Sequence, residues 1–151
     1  MKLDTIEKVL DFAIQKEQDA SDFYMSLAAK MSHQHMKQIF EQFSKEELGH
    51  KAKLMGVKQG KLPELTPDKN IMDLKIAEGL TDVNLDAELD YQQALIAAMK
   101  AEKAAYKLYS DLAAMTKEPH IVDLLNGLAQ EEAKHKLRFE IEYDEQILKD
   151  N

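Results

Sequence analysis

The sequence predicts an all-α protein, a four-helix bundle made of two repeated helix pairs that a long crossover joins. Strong helix formers dominate its 151 residues, which include only three prolines and five glycines. Apolar residues recur at helical spacing in four long stretches. The stretch 13–28 also aligns without a gap with 98–113, and the same shift of 85 residues aligns 46–51 with 131–136. The two halves should therefore pack around a pseudo-two-fold axis.

The elements follow one another in a single predicted domain, residues 1–151. Helices are predicted at about 4–30 and 33–60, and the short turn between them makes them antiparallel neighbours. Residues 61–84 hold two of the three prolines and are predicted to form the crossover. The last two helices are predicted at about 85–115 and 118–148, the fourth starting near Pro119, since proline is favoured in a first helical turn. Two tight pairs and one long link are typical of a bundle with a crossover.

Composition excludes several classes of function. The absence of cysteine excludes disulfides, thiolate metal sites and cysteine nucleophiles. The net charge of -8, with basic residues scattered among acids, argues against nucleic-acid partners and favours cationic ones. The sequence has no apolar run of 18 residues and no signal-peptide pattern, so we expect a soluble, cytoplasmic protein without a membrane partner.

Every predicted helix places ionisable groups in the centre of its apolar face. These groups are two single glutamates and two Glu-x-x-His pairs: Glu17, Glu102, Glu47 with His50, and Glu132 with His135. Each isolated buried carboxylate costs several kcal/mol, so four would consume most of a domain's stability of ~5–15 kcal/mol. No lysine recurs on these faces to neutralise them. Two divalent cations would cancel the four charges, and this ligand pattern is typical of dimetal carboxylate bundles.

Two further pairs of repeated residues adjoin the predicted ligands. Glu46 and Glu131 could hydrogen-bond an imidazole across the bundle, or could be exposed acids at the edge of the apolar face. Tyr24 and Tyr109 lie two turns after their glutamates, where they could hydrogen-bond a ligand, carry an electron or simply pack in the core.

With these residues identified, the chain resembles the rubrerythrin family of the ferritin-like superfamily over nearly its whole length. Four spaced pairs carry the resemblance: Glu17-x6-Tyr24, Glu47-x-x-His50, Glu102-x6-Tyr109 and Glu132-x-x-His135. The resemblance implies a di-iron centre with Glu47 and Glu132 bridging, Glu17 and Glu102 terminal, and one histidine on each metal. Manganese accepts the same ligands, so a manganese or mixed-metal centre stays open.

Two features differ from the family pattern. Rubrerythrins normally carry a rubredoxin domain with four cysteines, so the chain looks like the stand-alone members and would need a separate electron donor, such as rubredoxin. The family also usually has an extra carboxylate one turn after the third-helix ligand, where this chain has Ala105. Ala20 follows Glu17 in the same way, which makes the predicted site symmetric.

The resemblance implies an oxidoreductase that reduces hydrogen peroxide or oxygen in defence against oxidative stress. A ferroxidase or iron-handling protein, with ferrous iron as substrate, is the alternative. A regulatory module with a structural dimetal site, whose crossover contacts a partner, is the third possibility. The resemblance also implies a homodimer, in which helices either close on their own bundle or exchange between chains.

Overall fold

The computed structural model describes residues 5–60 and 90–150, with side chains to residue 148. Within these ranges the chain forms four helices and no strand: α1 Ile6–Lys30, α2 Gln34–Lys58, α3 Tyr91–Ala114 and α4 Pro119–Asp150. The all-α prediction is confirmed. The predicted crossover, 61–84, lies outside the described residues, as do residues 85–89 of the predicted third helix.

The helices pack as two pairs, α1 along α2 and α3 along α4, and the pairs meet at a shared core. Tyr91, at the start of α3, packs against Phe40 near the start of α2, with ring centroids 6.1 Å apart. α2 and α3 therefore begin at the same end of the bundle, and the link between them has to join opposite ends. One long crossover of this kind is the ferritin-like arrangement.

Hydrogen-bonded caps set the starts of α1 and α3. Thr5 accepts a hydrogen bond from the Lys8 amide at the start of α1. Asp90 and Gln93 form a reciprocal capping box, in which each side chain accepts from the other residue's backbone amide, at 2.7 and 3.1 Å. Because Asp90 has an extended backbone, α3 begins at Tyr91, later than the predicted start near Leu85.

The other described helix ends lie within a few residues of their predicted positions. α4 begins at Pro119, as its favoured place in a first turn predicts, and continues to Asp150. α2 ends at Lys58, just before Gly60. Among the residues that the structure describes, no helix is both long enough and apolar enough to cross a membrane.

The core consists of two apolar clusters. One lies around Leu10, Leu54 and Leu112, and the other around Tyr24, Phe40 and Phe139. The six predicted ligands lie between these two clusters along each helix and are called the ligand layer: Glu17, Glu47, His50, Glu102, Glu132 and His135. The fold therefore holds six ionisable side chains in the middle of the bundle, with packed apolar residues on both sides.

Candidate metal centre

The six predicted ligands meet in the centre of the bundle. α1 and α3 contribute one of these residues each, and α2 and α4 contribute two each. Each side chain belongs to a residue that is at most 5% exposed. Their ligand atoms form two groups, and within each group all atoms lie within 4.8 Å of one another: Glu17, Glu47, His50 and Glu132 in one, and Glu47, Glu102, Glu132 and His135 in the other. Glu47 and Glu132 belong to both groups. Two adjacent cations would share these two carboxylates.

Both imidazoles direct Nδ1 toward the carboxylates. His50 Nδ1 lies 2.9 Å from Glu132 Oε1 and 3.6 Å from Glu17 Oε1. His135 Nδ1 lies 3.1 Å from Glu47 Oε1 and 3.4 Å from Glu102 Oε1. Each histidine therefore faces a shared glutamate and the glutamate of one single-ligand helix, as the pseudo-two-fold repeat predicts.

Unpaired polar atoms show that the site suits a bound cation. Buried atoms without a hydrogen-bond partner occur in all six residues, including both carboxylate oxygens of Glu132 and Nδ1 of both histidines. Such atoms are rare in folded proteins because each costs free energy when it is desolvated without a partner. Oxygen and imidazole nitrogen are the ligands of iron and manganese, so the donor set fits two such ions.

Proton affinity in the centre is strongly perturbed. Burial raises the pKa of Glu47 and of Glu132 well above the ordinary value for a glutamate. Burial alone would lower the pKa of His135, but its contacts with Glu102 and Glu47 outweigh burial and raise that pKa to about 10. Without metal, protons therefore neutralise Glu47 and Glu132. Metal binding must therefore release protons.

The two tyrosines contact the carboxylates of the opposite half of the molecule. Tyr24, on α1, donates a hydrogen bond to Glu102 Oε1, and Tyr109, on α3, donates one to Glu17 Oε1. Burial, together with nearby carboxylates, raises the pKa of both phenols well above the ordinary value. They therefore stay protonated and act as donors, so the alternative of core packing alone is wrong.

The two acids beside the ligands behave differently from each other. Glu46 Oε2 lies 3.5 Å from Nε2 of His135, on the facing helix. Glu131 Oε1 instead lies 3.8 Å from Nζ of Lys134, on its own helix, and is 43% exposed. Glu46 therefore faces an imidazole across the bundle and Glu131 faces a lysine of its own helix, although the two side chains are about equally exposed, at 41% and 43%.

A small cavity of about 50 Å³ lies against the centre between α1 and α3. Small and apolar side chains form much of its wall, including Ala20, Ala101, Ala105 and Leu108, while the two tyrosines and the carboxylates border it. A volume of this size holds only a few water molecules. On the opposite side, a wider groove between α2 and α4 is lined by Glu46, Glu131 and His135.

The sequence analysis missed a buried hydrogen-bonded pair beside the centre. Ser44 donates to the carbonyl oxygen of Ser21 at 3.0 Å, so the Ser21 hydroxyl donates to Ser44 Oγ at 2.7 Å. This pair ties α1 to α2. Ser21 lies one turn after Glu17 on the same apolar face, which was the available signal, but the repeat does not reproduce the pair, since Tyr106 and Ala129 stand at these positions.

Comparisons with known proteins agree with this geometry. The family model described as Rubrerythrin matches residues 8–143. A hypothetical protein from Pyrococcus furiosus has a solved structure with a TM-score of 0.67 and 27% identity, covering 91% of this chain and 87% of its own. A Thermotoga maritima structure, described as a ferritin-like diiron-carboxylate protein, has a TM-score of 0.70 and covers 97% of both chains. Its identity is 17%, so this likeness shows the fold alone. The search of curated proteins found no significant match.

Glu47→Ala should reduce the metal content from two ions per chain to at most one, because Glu47 belongs to both ligand groups. Elemental analysis after anaerobic loading with Fe²⁺ measures this content. Glu41→Ala, on the same helix but outside the ligand groups, is the matched control and should retain two ions. Two ions in Glu47→Ala would contradict the proposed ligand set.

The metal-free protein should lose stability as pH rises above about 5. Glu47, Glu132 and His135 bind protons more tightly when folded than at their ordinary pKa values of about 4.3 and 6.5, so their stabilisation is complete at low pH and disappears as pH passes the raised values. Metal affinity should change in the opposite direction, because protons compete for the ligands. The difference in Tm between Mn²⁺-loaded and metal-free protein should therefore grow with pH.

Glu132→Gln is the control for this pH dependence, because glutamine cannot ionise. Its metal-free Tm should depend less steeply on pH than that of the wild type. A metal-free wild-type Tm that is constant or rises between pH 6 and 9 would contradict the prediction.

Tyr109→Phe and Tyr24→Phe should each lower the free energy of unfolding by ~1–3 kcal/mol, because a buried carboxylate oxygen loses its donor. Tyr106→Phe, on an exposed side chain of α3, should change it by less than about 0.5 kcal/mol. Denaturant unfolding of the metal-loaded proteins measures all three. Equal effects at the three positions would show that the two hydroxyls do not support the carboxylates.

Proposed function

Since the chain belongs to the rubrerythrin family, we propose that its buried centre holds two iron ions and reduces hydrogen peroxide, or oxygen, in defence against oxidative stress. The observation that carries the proposal is the convergence of four buried carboxylates and two imidazoles into two overlapping ligand groups. These ligands also accept manganese. Iron is proposed from the family and from the description of the Thermotoga maritima protein.

The arrangement assigns a distinct task to each ligand. Glu47 and Glu132 would contact both ions, because they alone belong to both groups. Each ion would then be completed by one further carboxylate and one imidazole: Glu17 with His50, and Glu102 with His135. A pair of ferrous ions supplies the two electrons that, with two protons, convert one hydrogen peroxide molecule into two waters.

The tyrosines hold the terminal carboxylates in position. Tyr109 donates to Oε1 of Glu17, and Tyr24 donates to Oε1 of Glu102, while Oε2 of each carboxylate has no hydrogen-bond partner. Each hydroxyl thus fixes one oxygen and leaves the other available to a cation. Because their pKa values are raised, the phenols serve as neutral donors rather than as phenolate ligands.

The cavity between α1 and α3 selects the oxidant by size. Its volume of about 50 Å³ suits molecules of the size of peroxide or oxygen and excludes bulky organic peroxides. Ala20 and Ala105 form part of its wall and leave space beside the carboxylates, while Lys16 and Asp19 also line the cavity, so size rather than a lack of charge would limit what enters.

A ferroxidase or iron-handling function is the second candidate. The groove between α2 and α4 balances Glu46 and Glu131 against Lys134 and Arg138, while the whole chain carries a net charge of -8. This charge attracts divalent cations toward the centre. In that case ferrous iron is the substrate: the same six ligands would bind it, oxygen or hydrogen peroxide would accept its electrons, and ferric iron would be released.

The proposal also includes partners. The chain contains no cysteine, so it cannot itself hold a rubredoxin-type iron site, and we propose that a separate protein, such as a rubredoxin, donates the electrons. The homodimer and the cytoplasmic location stay predictions.

Stopped-flow mixing of the diferrous protein with hydrogen peroxide, and separately with oxygen, tests the proposal. We expect ferric absorbance to appear rapidly with peroxide and more slowly with oxygen. Faster oxidation by oxygen would favour the ferroxidase function, and no reaction with either oxidant would contradict both functions.

Ala105→Phe, with its matched control, tests the route of the oxidant in the same experiment. Filling the cavity between α1 and α3 should leave two irons bound and slow the reaction with peroxide. Ala114→Phe, at the exposed end of α3, should react like the wild type. A wild-type rate in Ala105→Phe would show that the oxidant does not pass through this cavity.

A further inference from the structure

The two histidines are related by the internal repeat, but their surroundings outside the ligand layer differ. His135 has Glu46 Oε2 3.5 Å from its Nε2 atom, and the ring of Phe43 packs edge-on against it with centroids 4.6 Å apart. The repeat places Leu128 at the position of Phe43 and Glu131 at that of Glu46. Glu131 Oε1, however, lies 3.8 Å from Nζ of Lys134.

The ion pairs of the described residues confirm this difference. His50 has three carboxylates within 4 Å, and all three belong to the ligand layer: Glu17, Glu47 and Glu132. His135 has the three corresponding contacts and a fourth, with Glu46. Of the two histidines in the ligand layer, only His135 therefore meets an acid from outside that layer among the described residues.

In the contact between His135 and Glu46, the imidazole Nε2 is the donor and the carboxylate is the acceptor. His135 directs Nδ1 at Glu47 and Glu102, so Nδ1 is the atom available to a metal and the ring hydrogen belongs on Nε2. Nε2 is buried without a hydrogen-bond partner. The Glu46 side chain is 41% exposed, and a small rotation would shorten the 3.5 Å contact to a hydrogen bond. A carboxylate that accepts this hydrogen fixes the tautomer and makes Nδ1 a stronger ligand.

We propose that Glu46 is a positioning residue that makes the two metal positions unequal, so that the position completed by His135 binds its ion more tightly and fills first. Lys134 and Arg138 line the same groove as Glu46. Lys134 lies beside Glu131, whereas the ion-pair contact of Glu46 is with the imidazole of His135. The inference rests on the proposed metal centre and is independent of the reaction of that centre with peroxide.

Anaerobic titration of the metal-free protein with Co²⁺, followed by visible absorption and calorimetry, tests the inference. The wild type should bind two ions in two separate steps. Glu46→Gln should weaken the tighter step by about 10–100-fold, the usual effect of losing a carboxylate behind a ligating histidine. Glu131→Gln, the same substitution at the repeat-related position, should leave both steps within about twofold of the wild type, because Glu131 lies beside Lys134 rather than an imidazole.

Histidine variants assign the effect to one metal position. In His50→Ala the tighter step should persist and should still weaken when Glu46→Gln is added. In His135→Ala, adding Glu46→Gln should change nothing further, because the two residues act through one contact. A Glu46→Gln effect that persists without His135, or equal effects of Glu46→Gln and Glu131→Gln, would overturn the proposal.

The outcomes also separate this inference from the metal centre itself. Two Co²⁺ ions bound with unchanged affinities in Glu46→Gln would overturn only the role of Glu46. A wild type that fails to bind two ions would overturn the centre on which the inference rests.

Discussion

Four carboxylates held at one level inside a helical bundle are the constraint on which the other features of this molecule depend. Each buried charge costs several kcal/mol unless it is neutralised, and a domain of this size has a total stability of only ~5–15 kcal/mol. Burial raises the pKa of Glu47 and Glu132, so protons neutralise these two carboxylates in the metal-free state. Two divalent cations would neutralise all four carboxylates, because their four positive charges match and their coordination would use the unpaired carboxylate oxygens and both Nδ1 atoms.

The repeated halves explain how one chain builds such a centre. Each half supplies one helix with a single buried glutamate and one Glu-x-x-His helix. The tyrosine of each half donates a hydrogen bond to the single glutamate of the other half, which ties the halves together. Symmetry is therefore retained where the charges have to balance. It is lost farther out, where the Ser21–Ser44 pair and the Glu46–His135 contact occur on one side only. Function at the two metal positions can differ through these outer contacts without disturbing charge neutrality.

The convergence of the six candidate ligands could be predicted because helical periodicity places them on buried faces and the repeat brings those faces to one level. The partners of Tyr24 and Tyr109 could not, because the packing angle between the halves decides which carboxylate each hydroxyl reaches. Periodicity also cannot distinguish Glu46 from Glu131, since only the positions of His135 and Lys134 separate them. The start of α3 was missed because the Asp90 capping box begins the helix at Tyr91, after the apolar pattern of the sequence has already begun.

The central claim is that Glu47 and Glu132 neutralise their buried charge by sharing two metal ions. A crystal structure of the iron-loaded protein, with anomalous data collected at the iron edge, tests this claim most directly. The account predicts two anomalous peaks about 3.5–4 Å apart, the usual separation in a two-metal site. Both peaks should contact Glu47 and Glu132, with His50 on one and His135 on the other. A single peak, or two peaks that share neither glutamate, would contradict it.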